Sequence, residues 1–245
     1  MNSQEINLVL ADLSRNGIMF YEPKNWFGFC DHFVNYNVYD GTASPDGMWQ
    51  DINDAGTGTN TLNDTHGGTL SIVTSADNDD YHFLSSRSEC VKFQANKEVI
   101  AEAIIKLTEA STSAANWIFG LSSVNDATLM GAAGAGPPAE YDGAVFFKVD
   151  GTMYIQTETS NATTQVTSAT ALAFVSATEY RLRLHFIPSS ATAAIVNFEI
   201  NGTRVASHAI TITGLEEMHF VFGVKAGTTA AETLIVDSVM LKAQR

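Results

Sequence analysis

Pairs of acidic residues are the first candidates for chemistry in this sequence, because a glycosidase needs two carboxylates about 5 to 9 Å apart on either side of a sugar. Glu98 and Glu102 would share one face of a strand predicted over 97–107. At about 3.3 Å per residue their carboxylates would lie about 13 Å apart. Glu216 and Glu217 are adjacent and would point to opposite sides of an extended chain. Neither pair fits a glycosidase, so we expect no enzymatic activity and predict that these charges are solvated.

The sequence also contains no recognisable motif for a serine or cysteine nucleophile. Six histidines are present, but none lies near a G-x-S-x-G sequence or a comparable arrangement. The only two cysteines, Cys30 and Cys90, are far apart and form no C-x-x-C pair. We therefore expect two packed, unlinked thiols in a chain that is made in a reducing cytoplasm.

A loop of three aspartates is the candidate metal site. Asp77, Asp79 and Asp80 place hard oxygen ligands close together, as calcium sites often do. The central glycine and distal glutamate of an EF-hand are absent, and a simply solvated acidic loop is the alternative. We expect no cofactor, and Ca²⁺ bound by these three aspartates is the one candidate to test.

The charge balance excludes two classes of partner. The chain has 27 acidic and 13 basic residues and a formal net charge of −14. The basic residues are scattered, with the densest cluster at Arg181 and Arg183, whereas nucleic-acid binding requires a basic stripe. We expect no nucleic-acid partner and no adhesion to an anionic membrane. No run approaches the roughly 18 apolar residues of a membrane span, and the first residues lack the features of a secretory signal.

A glycine-rich run, Gly131 to Pro138, superficially resembles a phosphate-binding loop. It lacks the Gly-Lys-[Ser/Thr] ending and a following helix, both of which such a loop requires. We predict a flexible surface loop there.

The first residues differ from the rest of the chain. Ser3 is placed to cap a short helix over residues 4–16 that ends at Gly17. Because so short a helix is marginal alone in water, it must dock either on its own domain or on a neighbouring subunit. Its apolar stripe consists of Ile6, Val9, Leu10 and Leu13.

Aromatic residues are concentrated immediately after this segment. Eight lie between positions 20 and 39, among them Phe20, Tyr21, Trp26 and Phe27. Aromatic side chains dominate both protein cores and interface hot spots, so internal packing and an exposed contact surface both remain open.

The remainder of the chain has the pattern of short antiparallel strands. Residues 180–186 alternate apolar and polar side chains, and 194–200 continue the pattern up to an Asn201-Gly202 turn. A similar hairpin is predicted around Asp150-Gly151. Residues 99–107 fit a strand or a helix by pattern, and the all-β setting favours a strand. Many short strands separated by turns predict an all-β antiparallel sandwich.

Several segments together resemble the concanavalin A-like jelly-roll modules found in structural proteins of tailed bacteriophages. The resemblance extends from about residue 28 to the end. Its segments are Asp31-His32-Phe33 leading to Trp49, Gly67 to Ile72, Val99 to Leu107, Trp117 to Leu121, Gly143 to Phe147, Tyr180 to Leu184, Phe198 to Gly202 and Val236 to Leu241.

The resemblance implies a jelly-roll β-sandwich over 28–245 preceded by an N-terminal helix or arm over 1–27. The E-x-D-x-x-E strand of the glycan-cleaving branch is absent. The lectin branch uses a calcium-held loop, which residues 77–80 could supply, and an exposed aromatic residue that we cannot assign. The phage branch remains: proteins that decorate or cement the capsid surface, often as trimers.

On this basis we expect a non-enzymatic virion protein on the outer surface of a phage capsid, made in the host cytoplasm. Its partners would be the major capsid protein and itself, as a homotrimer. A glycan-binding or host-attachment module, such as part of a tail fibre, is the alternative, with carbohydrate as its ligand. The expected partner interface consists of Ile6, Val9, Leu10, Leu13, Phe20, Tyr21, Trp26 and Phe27.

Overall fold

The computed structural model describes residues 25–34, 36, 38–39, 47–54, 58–63 and 67–245. The predicted helix over 4–16 lies outside these residues. Six of the expected interface residues do so as well, namely Ile6, Val9, Leu10, Leu13, Phe20 and Tyr21.

Two eight-stranded sheets form the molecule. In spatial order the first sheet contains β14 (Thr203–Thr211), β13 (Ala193–Ile200), β12 (Glu179–Pro188), β7 (Val99–Thr108), β16 (Thr233–Gln244), β5 (Thr69–Val73) and β4 (Thr59–Asn63), and β1 (Trp26–Asp31) also pairs with β16. The second contains β11 (Thr164–Ala173), β10 (Tyr154–Asn161), β9 (Gly143–Lys148), β8 (Ala115–Ser122), β15 (His219–Ala226), β6 (Tyr81–Ser86), β3 (Trp49–Asn53) and β2 (Val38–Tyr39).

Among the described strands every pair but one is antiparallel, and the exception is β2 beside β3. Apart from one short 3-10 turn (Ala127–Leu129), the described residues contain no helix, and none that could cross a membrane. The predicted all-β antiparallel sandwich is confirmed.

Strand β7 shows how the sequence specifies these sheets. Every second residue from Val99 to Leu107 is buried, and the residues between are partly exposed. Alternate side chains of a strand point to opposite faces, so one face enters the core. β7 pairs with β12 on one side and β16 on the other, and β12 alternates in the same way. The strand interpretation of 99–107 was therefore correct.

Both predicted hairpins form, but only one has the predicted two-residue connection. Asn201 and Gly202 form a two-residue turn with φ of 52° and 78° between β13 and β14. The connection around Asp150-Gly151 instead spans residues 149–153. There the Gly151 amide donates to the carbonyl of Ser113, and the Met153 carbonyl accepts from the Phe174 amide, so the longer connection is hydrogen-bonded to other segments of the chain.

The core between the sheets is rich in aromatic rings. Trp49 is 1% exposed, and its ring centroid lies 5.0 Å from that of Phe222 and 6.1 Å from that of Phe220, both with edge-to-face geometry. Phe33 and Phe29, from the aromatic segment, pack against the same tryptophan. Such ring pairs add to the stabilisation that burial supplies.

The second sheet is buried on both faces at its centre. Every residue of β8, β9 and β15 is buried. One face packs against the first sheet, and residues 123–141 supply the side chains that cover the other. We call residues 123–141 the strap.

Candidate functional site

The outer face of the second sheet is the natural place for a ligand cleft, and the strap fills it. Ile118, Val145 and Phe147 form the apolar centre of this face. Leu129 and Met130 of the strap pack against them with 0% and 1% exposure. Side chains of the chain itself thus occupy the centre of the face.

Hydrogen bonds within the strap fix its turns, and one from the Ala133 amide to Asp79 ties it to a neighbouring loop. The Asp126 carboxylate accepts from the amide of Thr128 at 2.8 Å and caps the 3-10 turn. Gly131 donates to the carbonyl of Gly136 at 2.7 Å. Gly136 has φ of 78° and lies so close to the Phe147 ring that a Cβ atom would be 3.1 Å from it. The glycine-rich run predicted as a flexible surface loop is therefore anchored on the sheet.

The strap covers Glu158, the one acidic residue that the described strands place on this face. Glu158 is 5% exposed, and its carboxylate accepts hydrogen bonds from the hydroxyls of Tyr141, at 3.1 Å, and Thr167. Burial raises the pKa of Glu158, and the two hydrogen bonds oppose that shift. Burial and the neighbouring Glu158 carboxylate in turn raise the pKa of Tyr141.

No second carboxylate stands opposite Glu158 in the described strands of this sheet. Their only other acidic residue is Asp51. Asp51 is paired with Leu84, which faces the core, whereas Glu158 is paired with Val145 on the outer face. The two acids therefore lie on opposite sides of the sheet and cannot act together on one glycosidic bond.

The acidic pair considered from the sequence lies on the outer face of the first sheet. Glu98 is 3.2 Å from Nε2 of His185. Glu102 receives two hydrogen bonds from Arg181, at 2.9 and 2.6 Å, and lies 3.5 Å from Arg183. The predicted solvated charges are in fact paired, and each carboxylate has its own basic neighbour.

His208 lies 3.1 Å from the Ser168 hydroxyl, but its other ring nitrogen faces the Thr159 hydroxyl and not an acid. Two further histidine contacts resemble parts of a nucleophile arrangement. His82 Nε2 lies 2.7 Å from Asp51, while Nδ1 is 3.4 Å from the backbone carbonyl of Val73. His32 contacts the Cys30 thiol at 3.4 Å, but burial and nearby carboxylates raise the pKa of that thiol to about 11. A protonated thiol is a poor nucleophile. Neither contact forms a complete triad within the described part of the chain.

The three aspartates of the candidate calcium loop are hydrogen-bonded within the protein, two of them to Ser75. Asp80 is 3% exposed and accepts from the amide of Ser75, and Asp77 contacts the Ser75 hydroxyl at 3.3 Å. Asp79, with φ of 67°, accepts from the Ala133 amide of the strap at 3.1 Å. Across the described ranges no three His, Cys, Asp or Glu side chains are grouped to hold a metal. Calcium binding by Asp77, Asp79 and Asp80 stays a prediction.

Trp26 and Phe27 are the two expected interface residues that the structure describes. They begin β1 and point to opposite sides of it. The Lys242 ammonium lies 4.4 Å from the centroid of the Trp26 ring. Phe27 is partly buried against the main core and leaves part of its ring exposed in a groove beside β1. Later members of the aromatic segment enter the interior, with Phe33 at 1% exposure.

A buried charged cluster was missed by the sequence analysis. Glu109, Lys148 and Glu232 occupy inward positions at the ends of β7, β9 and β16. Lys148 donates to Glu109 at 2.6 Å, and Glu232 accepts from the Ala110 amide at 3.0 Å. Burial and the Glu109 carboxylate raise the pKa of Glu232 to about 7, against the opposite effects of Ala110 and Lys148. The inward alternation of these strands, extended by one step, could have revealed the cluster.

Comparison with known proteins identifies the fold. No family model and no curated protein matches the sequence. A protein of unknown function from Shewanella oneidensis matches with a TM-score of 0.60 and 13% identity, over 100% of this chain and 95% of its own. An endo-1,3-beta-glucanase from Streptomyces sioyaensis matches with 0.58 and 13%, over 91% and 98%. A legume lectin-like domain from Entamoeba histolytica matches with 0.52 and 9%, over 79% and 89%.

At these identities the matches establish the fold alone. The chain has a concanavalin A-like jelly-roll sandwich, as the sequence resemblance predicted. Proteins with this fold include glucanases and lectin-like domains.

Proposed function

We propose that this chain is a non-enzymatic structural protein that decorates and cements the outer surface of a phage capsid through protein–protein contacts. The observation that carries the proposal is the strap over the outer face of the second sheet. Glu158 is the only acidic residue that the described strands place on that face. Its carboxylate already accepts hydrogen bonds from the hydroxyls of Tyr141 and Thr167. Within the described strands, that face therefore carries no pair of carboxylates, and we propose that the protein acts through the surfaces it offers to partners.

Charge supports a position outside the packaged nucleic acid. With a net charge of −14, the protein is repelled by phosphates, and this suits an outer coat. The major capsid protein is the proposed main partner, and two further copies of the chain complete a homotrimer. The same proposal places the protein on the virion after synthesis in the host cytoplasm.

The first residues are the proposed grip on the capsid. They join the rigid sandwich at β1, which is held to the C-terminal strand along its length. Trp26 and Phe27 form the part of the proposed partner interface nearest the sandwich. The apolar side chains that contact the partner further along the segment are those of Ile6, Val9, Leu10 and Leu13. Large side chains buried at the centre of an interface contribute most of its affinity.

A rebinding experiment tests the proposal. Particles produced without this gene are mixed with the purified protein, sedimented and assayed for bound protein. We expect wild type to sediment with the particles. A Leu10→Asp/Leu13→Asp variant should lose at least about tenfold in affinity, since two buried leucines are worth several kcal/mol. The matched control is Ala11→Asp. Equal binding by both aspartate variants, or no binding by wild type, would overturn the proposal.

Carbohydrate binding is the second candidate, favoured by the shared fold with a lectin-like domain and a glucanase. In that case the protein would be a host-attachment module, such as part of a tail fibre, with Asp77, Asp79 and Asp80 as a calcium-held loop. A polysaccharide array with and without a chelator distinguishes the two. Chelator-sensitive binding supports the second candidate, and the absence of any hit removes it.

A further inference from the structure

An apolar groove opens at the flank of the sandwich beside β1. Its volume is about 480 Å³, and its lining consists of Phe27, Gly28, Phe29, Cys90, Leu241 and Arg245. Phe27 and Phe29 pack against the main core on one side and leave the other side of their rings toward the groove. Covering apolar surface of this kind with another apolar group is favourable by about 25 cal/mol per Å² of area buried.

The groove continues into a more polar pocket of about 310 Å³ that shares Phe27, Cys90 and Arg245 with it. Its rim carries Lys92 and Lys97 together with Glu89 and Glu217. Three basic residues therefore face two acidic ones here, in a chain whose acidic residues outnumber its basic ones two to one. Both signs of charge are therefore present around the rim.

The chain itself enters the sandwich at the edge of this groove. The Asn25 carbonyl accepts a hydrogen bond from the Arg245 amide at 2.9 Å, and Phe27 follows two residues later. About 12 residues separate Leu13 from Asn25, enough to span ~40 Å when extended. A tether of this length holds the apolar residues near the groove at an effective concentration on the order of millimolar.

The N-terminal segment has the chemistry that the groove requires. Ile6, Val9, Leu10 and Leu13 provide an apolar stripe, and Glu5 and Asp12 flank it against a single Arg15. We infer that in the free protein the groove is occupied by the apolar stripe of residues 6–13 of the same chain. The tether gives this occupant an advantage over a second copy, which would have to bind from solution.

The inference goes beyond the proposed function, because it gives residues 6–13 a binding site on their own sandwich before they contact a partner. Residues that later grip a partner are first covered by the sandwich, so free copies do not expose the stripe. A capsid subunit would then have to compete with the groove for the segment. Domain exchange between copies uses the same principle, with one groove and two possible donors.

Disulfide trapping tests the inference directly, because Cys90 lines the groove. In a Cys30→Ser background, Leu10→Cys should form a bond with Cys90 under a catalysed oxidant, each thiol losing one hydrogen to the oxidant. The product should be monomeric on a non-reducing gel and should form at the same rate at all protein concentrations. The matched control, Ala11→Cys, should react at least about tenfold more slowly, since neighbouring positions cannot both face the groove.

Because Cys90 is largely buried, a second pair replaces it with an exposed position. Leu10→Cys with Arg245→Cys, in a Cys30→Ser/Cys90→Ser background, repeats the test at the groove rim. A covalent dimer in either pair would show that a second copy fills the groove, and equal rates for positions 10 and 11 in both pairs would show that the stripe does not dock there. Either result overturns the inference. Capsids take no part, so a failure here is separate from a failure of the proposed function.

Discussion

The Nζ atom of Lys148 lies 2.6 Å from Oε1 of Glu109, and the two side chains are 0% and 6% exposed. Lys148 also donates to the carbonyl of Ala115 at 3.0 Å. The amide of the same Ala115 donates to Glu109 at 3.2 Å. The pair thus closes a small network at one end of the sandwich, where β7, β8 and β9 meet their loops. A buried charge with such partners is tolerated only while all of them are present.

Removing the lysine should expose this dependence. We expect Lys148→Met to lower the free energy of unfolding by about 3–5 kcal/mol, because Glu109 would remain buried without its counter-charge. Lys148→Met/Glu109→Gln should recover part of that loss. Urea denaturation measures both, with Lys106→Met on the outer face of β7 as the control. A loss no larger than the control's would show that the pair is not a dependent unit.

Glu232 should make stability fall as pH rises. Its pKa is about 7 in the folded protein and near 4.5 when unfolded, so the folded state holds the proton more tightly. The stabilisation that this tighter proton binding gives is fully present below about pH 4.5 and is lost as the pH rises through about 7. Glu232→Gln removes it, and should be more stable than wild type at pH 8 by on the order of 1–3 kcal/mol. At pH 4 the two should be alike.

Thermal or urea unfolding across that range gives the difference between the two proteins. Glu179→Gln, at an exposed position of β12, is the control and should leave the pH profile unchanged. A difference that stays constant from pH 4 to pH 8 would contradict the assignment to Glu232.

The strap should contribute to stability as a packed part of the domain. Leu129 of the strap is fully buried against the outer face of the second sheet. We expect Leu129→Ala to cost about 2–4 kcal/mol and to increase binding of a hydrophobic dye as that face is uncovered. Leu62→Ala, at a 39% exposed position, is the comparison. Equal, small effects of both changes would mean that the strap only rests on the surface.

Much of the fold was predictable because period-two alternation is local. β7 and β12 show it over whole strands, and the Asn201-Gly202 turn follows from the positive φ that both residues tolerate. The strap was not predictable in the same way. Its glycines and alanines carry no hydrophobic period, and its position depends on Phe147 and Asp79, which lie elsewhere in the chain.

The chemistry of the site was predictable only in part. Spacing argued against Glu98 and Glu102 as a glycosidase pair, and in the structure each has its own basic neighbour. Lys148 and Glu109, by contrast, are 39 residues apart and meet only after folding. For Asp77, Asp79 and Asp80, proximity in sequence suggested one shared ion, whereas in the described structure Asp77 and Asp80 bond to Ser75 and Asp79 bonds to the Ala133 amide. Side-chain direction in a loop is set by tertiary contacts, which a linear pattern does not contain.

A homotrimer is the expected state of the purified protein under the proposed function. Light scattering at several concentrations should give a mass three times that of one chain. Leu10→Asp/Leu13→Asp should retain that mass if copies contact each other through the sandwich. A monomer at every concentration would remove the trimer from the account while leaving capsid binding to be judged separately.

Immunogold electron microscopy of intact particles from the host that carries this gene tests the central claim most directly. Antibodies raised against the sandwich should label the capsid surface of unbroken particles, and particles made without the gene should carry no label. Label confined to the tail would support the host-attachment alternative. Label absent from intact particles, or found only after the capsids are opened, would contradict an outer decoration role.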